Sequence, residues 1–215
     1  MAITLYYGSG SPYAWRVHLA LEHKALPYER KILSFSAGDT RKPEFVALNP
    51  RHRVPTITDD DFTLYESNAI VEYLDEAYPG RGQPLFPGDA KKRALIRRLI
   101  LEVDNYLSEP SEKIITYAFY TKPEERDKVK VTEARQDVIN EYALFTKAMR
   151  GEFLAGALSA ADYALYPFVA FMKRCEMKLA DLNAAGMLTA ELAAWKARIE
   201  ALPYLEGTIP PHWKQ

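Results

Sequence analysis

The sequence predicts an α/β layer followed by an all-α region, and three observations carry that expectation. Up to residue 80, stretches alternating apolar and polar residues take turns with stretches of helical spacing. From Asp89 onward the apolar residues recur with the helical period. In between, Gly80, Gly82, Pro84, Pro87 and Gly88 punctuate the chain as a linker does. The domains so drawn are residues 1–80, a linker over 81–88, and residues 89–215.

Taken in order, Ile3, Leu5 and Tyr7 alternate with Ala2, Thr4 and Tyr6, the pattern of a half-buried strand. Gly8-Ser9-Gly10 turns the chain, and Ala14, Val17 and Leu21 mark a helix. Pro12 suits its first position, where an N–H would have no intrahelical partner, which makes Ser11 the N-cap. Leu26-Pro27 ends that helix, and Tyr28, Arg30 and Ile32 alternate as a second strand. A polar stretch over 34–42 leads to a short helix through Phe45 and Leu48, closed by Asn49-Pro50. Val54 to Thr58 and Phe62 to Tyr65 form a hairpin around Asp59-Asp60-Asp61. Those carboxylates are expected to be solvated at the tip rather than to hold a metal. Glu66-Ser67-Asn68 opens a helix with Ile70, Leu74, Ala77 and Tyr78 on one face, stopped by Pro79-Gly80.

Asp89 caps a long helix whose apolar stripe runs Leu95, Leu99, Val103, Tyr106 and Leu107. Thr121 and Pro123 mark the next start, with a helix running to about Arg150. Ser159-Ala160-Ala161-Asp162 resembles a capping box ahead of an apolar run from Tyr163 to Phe171. A last helix spans Thr189 to Leu202 and ends at Pro203.

Composition narrows the function classes. The 215 residues carry a net charge of -1, which gives no electrostatic reason to expect nucleic acid or an anionic membrane. No basic segment followed by an apolar run opens the chain, and no apolar run is long enough to cross a membrane. A soluble cytoplasmic protein is the expectation. The single cysteine, Cys175, fits a reducing compartment and reads as a small buried hydrophobe. His18, His23, His52 and His212 lack metal-ligand spacing, so no metal site is expected.

Ser11 admits two roles. A hydroxyl before a helix caps a free amide; it also stands where unpaired N–H groups and the helix dipole favour an anion. The residues around Ser11 leave both open.

Four stretches, in order, carry a resemblance that spans the whole chain: Ser11-Pro12-Tyr13-Ala14-Trp15-Arg16-Val17, Asn49-Pro50 through Val54-Pro55, Glu66-Ser67-Asn68-Ala69-Ile70, and Ser159-Ala160-Ala161-Asp162. With them the sequence resembles the cytosolic glutathione transferases of serine type, close to bacterial members. The resemblance implies a thioredoxin-like N-terminal domain and an all-α C-terminal domain. It also implies glutathione as co-substrate, a small hydrophobic electrophile as its partner in reaction, a homodimer and a role in detoxification.

It further implies a site. The Val54-Pro55 bond is expected to be cis, presenting the Val54 backbone to the cysteinyl backbone of glutathione. Ser67 and the helix amides suit the γ-glutamyl carboxylate, and Glu66 suits its ammonium. Arg53, where relatives often carry lysine or glutamine, reaches toward the glycyl end, with His52 a weaker candidate on the same loop. Ser11 then donates to the glutathione sulfur and favours the thiolate, which is the nucleophile. Ser9 ranks second for that role, and Tyr6 or Tyr7 at the strand end after it. Tyr13, Tyr106, Tyr117, Phe119, Tyr120 and Trp213 are candidates to line the electrophile pocket between the domains. Asp104 is placed to reach a partner subunit's glutathione.

With no cysteine before Cys175, a mixed disulfide at the first helix is excluded as the chemistry. Tyr13 stands where a dinucleotide loop needs its third glycine, which excludes that reading of Gly8 and Gly10. Two alternatives to conjugation remain: a glutathione-dependent isomerisation or dehalogenation, and a non-catalytic module that binds a ligand or a protein.

Overall fold

The computed structural model describes residues 3–213, so Ala2 of the expected first strand lies outside the described residues. The chain forms two compact units, one running through Phe86 and resuming at Pro203, the other Pro87–Leu202.

In the first unit β1 (Ile3–Tyr7), α1 (Pro12–His23), β2 (Tyr28–Ile32) and the short α2 (Pro43–Val46) are followed by β3 (Thr56–Asp59), β4 (Phe62–Tyr65) and α3 (Ser67–Ala77). The sheet order is β2-β1-β3-β4, with β1 parallel to β2 and antiparallel to β3. In the hairpin Ile57 pairs with Leu64, and Asp59 with Phe62. Leu5 and Ile57 are fully buried, as are Val17, Leu19 and Leu21 of α1 and Ile70 and Leu74 of α3. The helix α9 (Leu205–Thr208) returns to this unit, where Thr208 Oγ1 accepts from Trp15 Nε1 at 2.8 Å.

Two expectations are corrected here. Asp59 is not solvated: it is buried and accepts hydroxyl bonds from Tyr73 (2.7 Å) and Tyr78. The hairpin geometry turns Asp59 inward as a ladder residue, and only Asp60 and Asp61 reach water. Ala77 is exposed rather than on the core face of α3.

The linker is tied down by one carboxylate. Asp75 accepts from the amides of Leu85 (2.8 Å) and Phe86 (3.2 Å) and from the buried Lys24 ammonium at 3.0 Å. Gly82, at φ +53°, passes so close to His23 and Lys24 that a Cβ there would lie 2.3 Å from the His23 carbonyl oxygen.

In the second unit α4 (Ala90–Glu102) continues through a π-helical turn over Val103–Leu107 into α5 (Ser108–Phe119). The extra residue in that turn shifts the helix face. The buried stripe is therefore Ile96, Leu99, Ile100, Val103 and Leu107, while Tyr106, expected in it, is 61% exposed. The next helix, α6 (Lys128–Ala148), begins later than Thr121, because Asp127 caps it by accepting from Val129 and Lys130 amides. At the centre lies α7 (Ala160–Glu176), buried on all sides from Ala160 to Met172 and packed by α4, α5 and α8 (Ala190–Glu200).

The expected capping box is present: Ser159 and Asp162 exchange side-chain and backbone bonds. Asp162 also accepts from Leu154 N (3.0 Å) and Trp195 Nε1 (2.8 Å). Despite these donors, burial pushes its pKa up to about 6. Cys175 is buried, and burial lifts its thiol to about 12, in keeping with an inert packing role.

Candidate functional site

The glycine loop between β1 and α1 sets Ser11. Gly8 lies under the Phe35 ring, where a Cβ would come within 2.1 Å of it, and its carbonyl accepts from Ser11 N at 3.1 Å. Gly10 takes φ +89°, a conformation that side chains other than hydrogen resist. Ser11 follows in extended geometry as the N-cap of α1, its Oγ accepting from Ala14 N at 3.3 Å, with Pro12 opening the helix. Capping uses a hydroxyl lone pair and not the hydroxyl proton. Ser11 can therefore cap the helix and donate to an anion at once.

The rival donors have other engagements. Ser9 Oγ lies 2.6 Å from Nδ1 of His212, which sits in the turn Pro211–Trp213 against the glycine loop. Tyr6 points to the α2 face, its ring 6.1 Å from that of Phe45 and its hydroxyl accepting from Lys31. Tyr7 packs beside His18 on the α1 side, ring centroids 6.3 Å apart.

The second piece is the loop into β3. The Val54-Pro55 bond is cis. Asn49, almost fully buried, holds the loop from within: its Nδ2 donates to the Arg53 carbonyl (2.8 Å) and Thr56 Oγ1 (3.0 Å), and its Oδ1 accepts from Arg51 N. Arg53 itself is exposed, and Val54 is half-buried. His52 has φ +57° and its Nδ1 lies 3.2 Å from the Thr40 carbonyl.

The third piece is the start of α3. Glu66 is exposed at φ +72°, ψ +109°, a backbone that costs a non-glycine residue roughly 1–3 kcal/mol and marks a functional or over-determined position. Ser67 is buried, and its Oγ accepts from Arg16 Nη1 at 3.2 Å, while the same nitrogen donates to Asn68 Oδ1 at 2.5 Å. Arg16 is 1% exposed, and its Cζ lies 5.4 Å from the centre of the Tyr13 ring. A full positive charge thus stands directly behind the first turn of α3.

Arg16 and Asn49 are the residues that reasoning from sequence passed over as players in the site. The signal for Arg16 was present: a buried charge in an apolar helix face requires an acceptor nearby. For Asn49 the only sign was its proline neighbour.

The aromatic candidates divide. Tyr13 and Trp213 belong to the first unit, where Trp213 stands edge-on to Trp15 at 5.3 Å. Tyr117 is half-buried and Tyr120 exposed near the C-terminal end of α5, and Phe119 meets Phe171 edge-on at 5.8 Å. Tyr106 lines a hollow of about 450 Å³ with Arg98, Glu141 and Leu144, and neither Tyr117 nor Tyr120 is part of that lining. Asp104 lies half-buried in the π turn, its carbonyl accepting from Ser108 Oγ at 2.6 Å. Among the described residues no group of histidine, cysteine and acidic side chains is arranged to hold a metal, and no helix is long and apolar enough to cross a membrane.

Comparison with known proteins accords with this geometry. The profile described as glutathione S-transferase, N-terminal domain, matches residues 10–77, and that for glutathione S-transferase, C-terminal domain, matches 109–203. Glutathione S-transferase A of Pleuronectes platessa is 28% identical over 98% of this chain and 92% of its own. Glutathione S-transferase D7 of Drosophila melanogaster is 31% identical over 76% of this chain and 71% of its own. A crystal structure of a glutathione S-transferase from the Antarctic clam Laternula elliptica superposes with a TM-score of 0.83 at 32% identity, covering 100% of this chain and 95% of that one.

Proposed function

The chain belongs to the glutathione S-transferase family, and from that premise we propose that it activates the glutathione thiol as a thiolate held by Ser11. The observation that carries this reading is the N-cap geometry, in which Ser11 Oγ spends a lone pair on Ala14 N and keeps its proton for a ligand. A free thiol has a pKa near ~8.5. Lowering it by about two units needs roughly 2.7 kcal/mol of preference for the anion. A hydroxyl donor and the N-terminal dipole of α1 are of the right kind and size for that.

In this reading the other residues position the tripeptide. Val54 offers its backbone to the cysteinyl segment, next to Pro55. Ser67 and the first amides of α3 receive the γ-glutamyl carboxylate, with Arg16 behind them adding positive charge. Glu66 faces the ammonium, and the exposed Arg53 takes the glycyl carboxylate. Tyr13, two residues after Ser11, is the aromatic nearest in sequence to the reacting sulfur. The second substrate is a small hydrophobic electrophile, and the protein acts as a cytoplasmic homodimer in detoxification; the reduced, buried Cys175 fits that compartment.

Ultraviolet titration of the thiolate in the bound complex tests the reading. For Ser11→Ala the expected result is a bound thiol pKa returned toward ~8.5 and a fall in kcat/KM of about 10²–10³, with glutathione affinity changed little. An unaltered thiol pKa in that variant would reduce Ser11 to a helix cap.

A further inference from the structure

Three exposed arginines, Arg41, Arg51 and Arg53, share one edge of the first unit. Buried contacts bring them together. Asn49 holds the loop over 50–53 from within, through the Arg51 amide and the Arg53 carbonyl. His52, between the two arginines, sets its Nδ1 3.2 Å from the carbonyl of Thr40, the residue before Arg41. Thr40 is buried, so this contact fixes the turn Asp39–Arg41 against the loop.

None of the three guanidiniums is hydrogen-bonded or ion-paired among the described residues. The neighbouring carboxylates are engaged with lysines instead. Asp39 pairs with Lys42 at 2.7 Å and accepts from Ser34 N, and Glu44 lines a hollow with Lys31 and Lys42. Residues 39–53 hold four cations and two anions in a chain whose net charge is -1. This edge is therefore locally positive.

In the proposed complex the γ-glutamyl end lies at Glu66 and Ser67, and the cysteinyl backbone lies at Val54. The third residue of the peptide then leaves the site over the loop 51–53. A glycyl carboxylate is a single charge, and Arg53 is enough to meet it. Arg41 and Arg51 stand beside it with nothing to bind.

We propose that this edge selects the third residue of the thiol peptide, a selection that rests on the tripeptide lying as set out above. The preferred substrate is a γ-glutamylcysteinyl peptide ending in a dicarboxylic residue, its second carboxylate held by Arg41 and Arg51. A guanidinium fork matches a carboxylate in two parallel bonds, which gives direction as well as charge. Each such contact at an exposed rim is weak, so two of them give a several-fold preference and not an absolute one.

The probes are γ-Glu-Cys-Glu, its uncharged isostere γ-Glu-Cys-Gln, and γ-Glu-Cys-Gly, titrated by calorimetry into the full chain. At about 20 mM salt γ-Glu-Cys-Glu is expected to bind about fivefold or more tightly than γ-Glu-Cys-Gln. At about 500 mM salt that ratio is expected to fall below about twofold. The double variant Arg41→Gln, Arg51→Gln is expected to erase the ratio at low salt. Equal binding of the Glu and Gln peptides, with γ-Glu-Cys-Gly bound, would overturn this inference and leave the reading of the site standing. A preference that survives in the double variant would overturn it too. Failure of all three peptides to bind would overturn the reading of the site and this inference with it.

Discussion

The buried guanidinium of Arg16, in α1, donates across 3.2 Å to the hydroxyl of Ser67 at the start of α3. Two segments far apart in sequence are thereby joined by a charge that water does not reach. Replacing Arg16 with Met removes the donor that Ser67 Oγ and Asn68 Oδ1 share. We expect a loss of roughly 2–4 kcal/mol in urea unfolding, from the lost charge-assisted bonds and the lost packing. Glutathione affinity should fall by tenfold or more, on the order of 1.4 kcal/mol, when measured by calorimetry. Arg16→Lys is expected to recover stability only in part, since an ammonium is more strongly hydrated and so costs more to bury, and it loses the packing of the planar guanidinium by the Tyr13 ring.

Ser9 and Ser11 stand two residues apart but are bonded differently. Ser9 Oγ is taken up with His212 Nδ1 at 2.6 Å, while among the described residues Ser11 Oγ serves only Ala14 N. Ser9→Ala is therefore expected to move the bound thiol pKa by less than about half a unit. Titration of the two alanine variants side by side checks the assignment. A larger effect at Ser9 than at Ser11 would transfer the donor role.

The two units are expected to respond to acid in opposite senses. Burial, helped by the charge of Arg30, lowers His18 from 6.5 to about 4. The unfolded chain thus takes up a proton first, and the stability from neutral His18 is present above pH 6.5 and lost as pH falls toward 4. Asp162 is raised from 3.8 to about 6 by burial, so its contribution is present below 3.8 and lost as pH rises through 6. Each amounts to roughly 3 kcal/mol. A global melting curve will partly cancel them between pH 4 and 6. Hydrogen exchange resolved by segment will not: on going from pH 6.5 to 4, protection corrected for the intrinsic exchange rate should fall in β1, α1 and β2 and rise around the start of α7.

Gly82 and Gly80 offer a contrast in the linker. Both have positive φ, but a Cβ on Gly82 would lie 2.3 Å from the His23 carbonyl oxygen, and one on Gly80 would meet nothing within 4 Å. Gly80→Ala should cost about 1 kcal/mol, the ordinary price of left-handed backbone. Gly82→Ala should cost about 2–4 kcal/mol, because backbone must move to admit it. Thermal melts of the two variants distinguish the terms.

Much of this architecture is legible in the residue order. The alternation of Ile3, Leu5 and Tyr7, the Ser11-Pro12 helix start, the hairpin and the Ser159–Asp162 box all rest on short-range rules, and each is present. What was missed depends on partners far along the chain. The register of Tyr106 was lost because a π turn changes the helix face without any local marker. Asp59 was misjudged because its partners, Tyr73 and Tyr78, are a helix away. Of the proposed site residues, Ser11, Val54 and Ser67 stand in motifs readable locally, whereas the bonds of Arg16 and Asn49 behind them are made only on folding.

The return of the chain to its first unit at Pro203 bears on how members of this family can be recombined. A chimera that exchanged everything after Phe86 would import a foreign tail and sever Trp15 from both Thr208 and Trp213. Swapping residues 87–202 alone, with the native ends kept on either side, treats the helical unit as a cassette and preserves the indole's native surroundings.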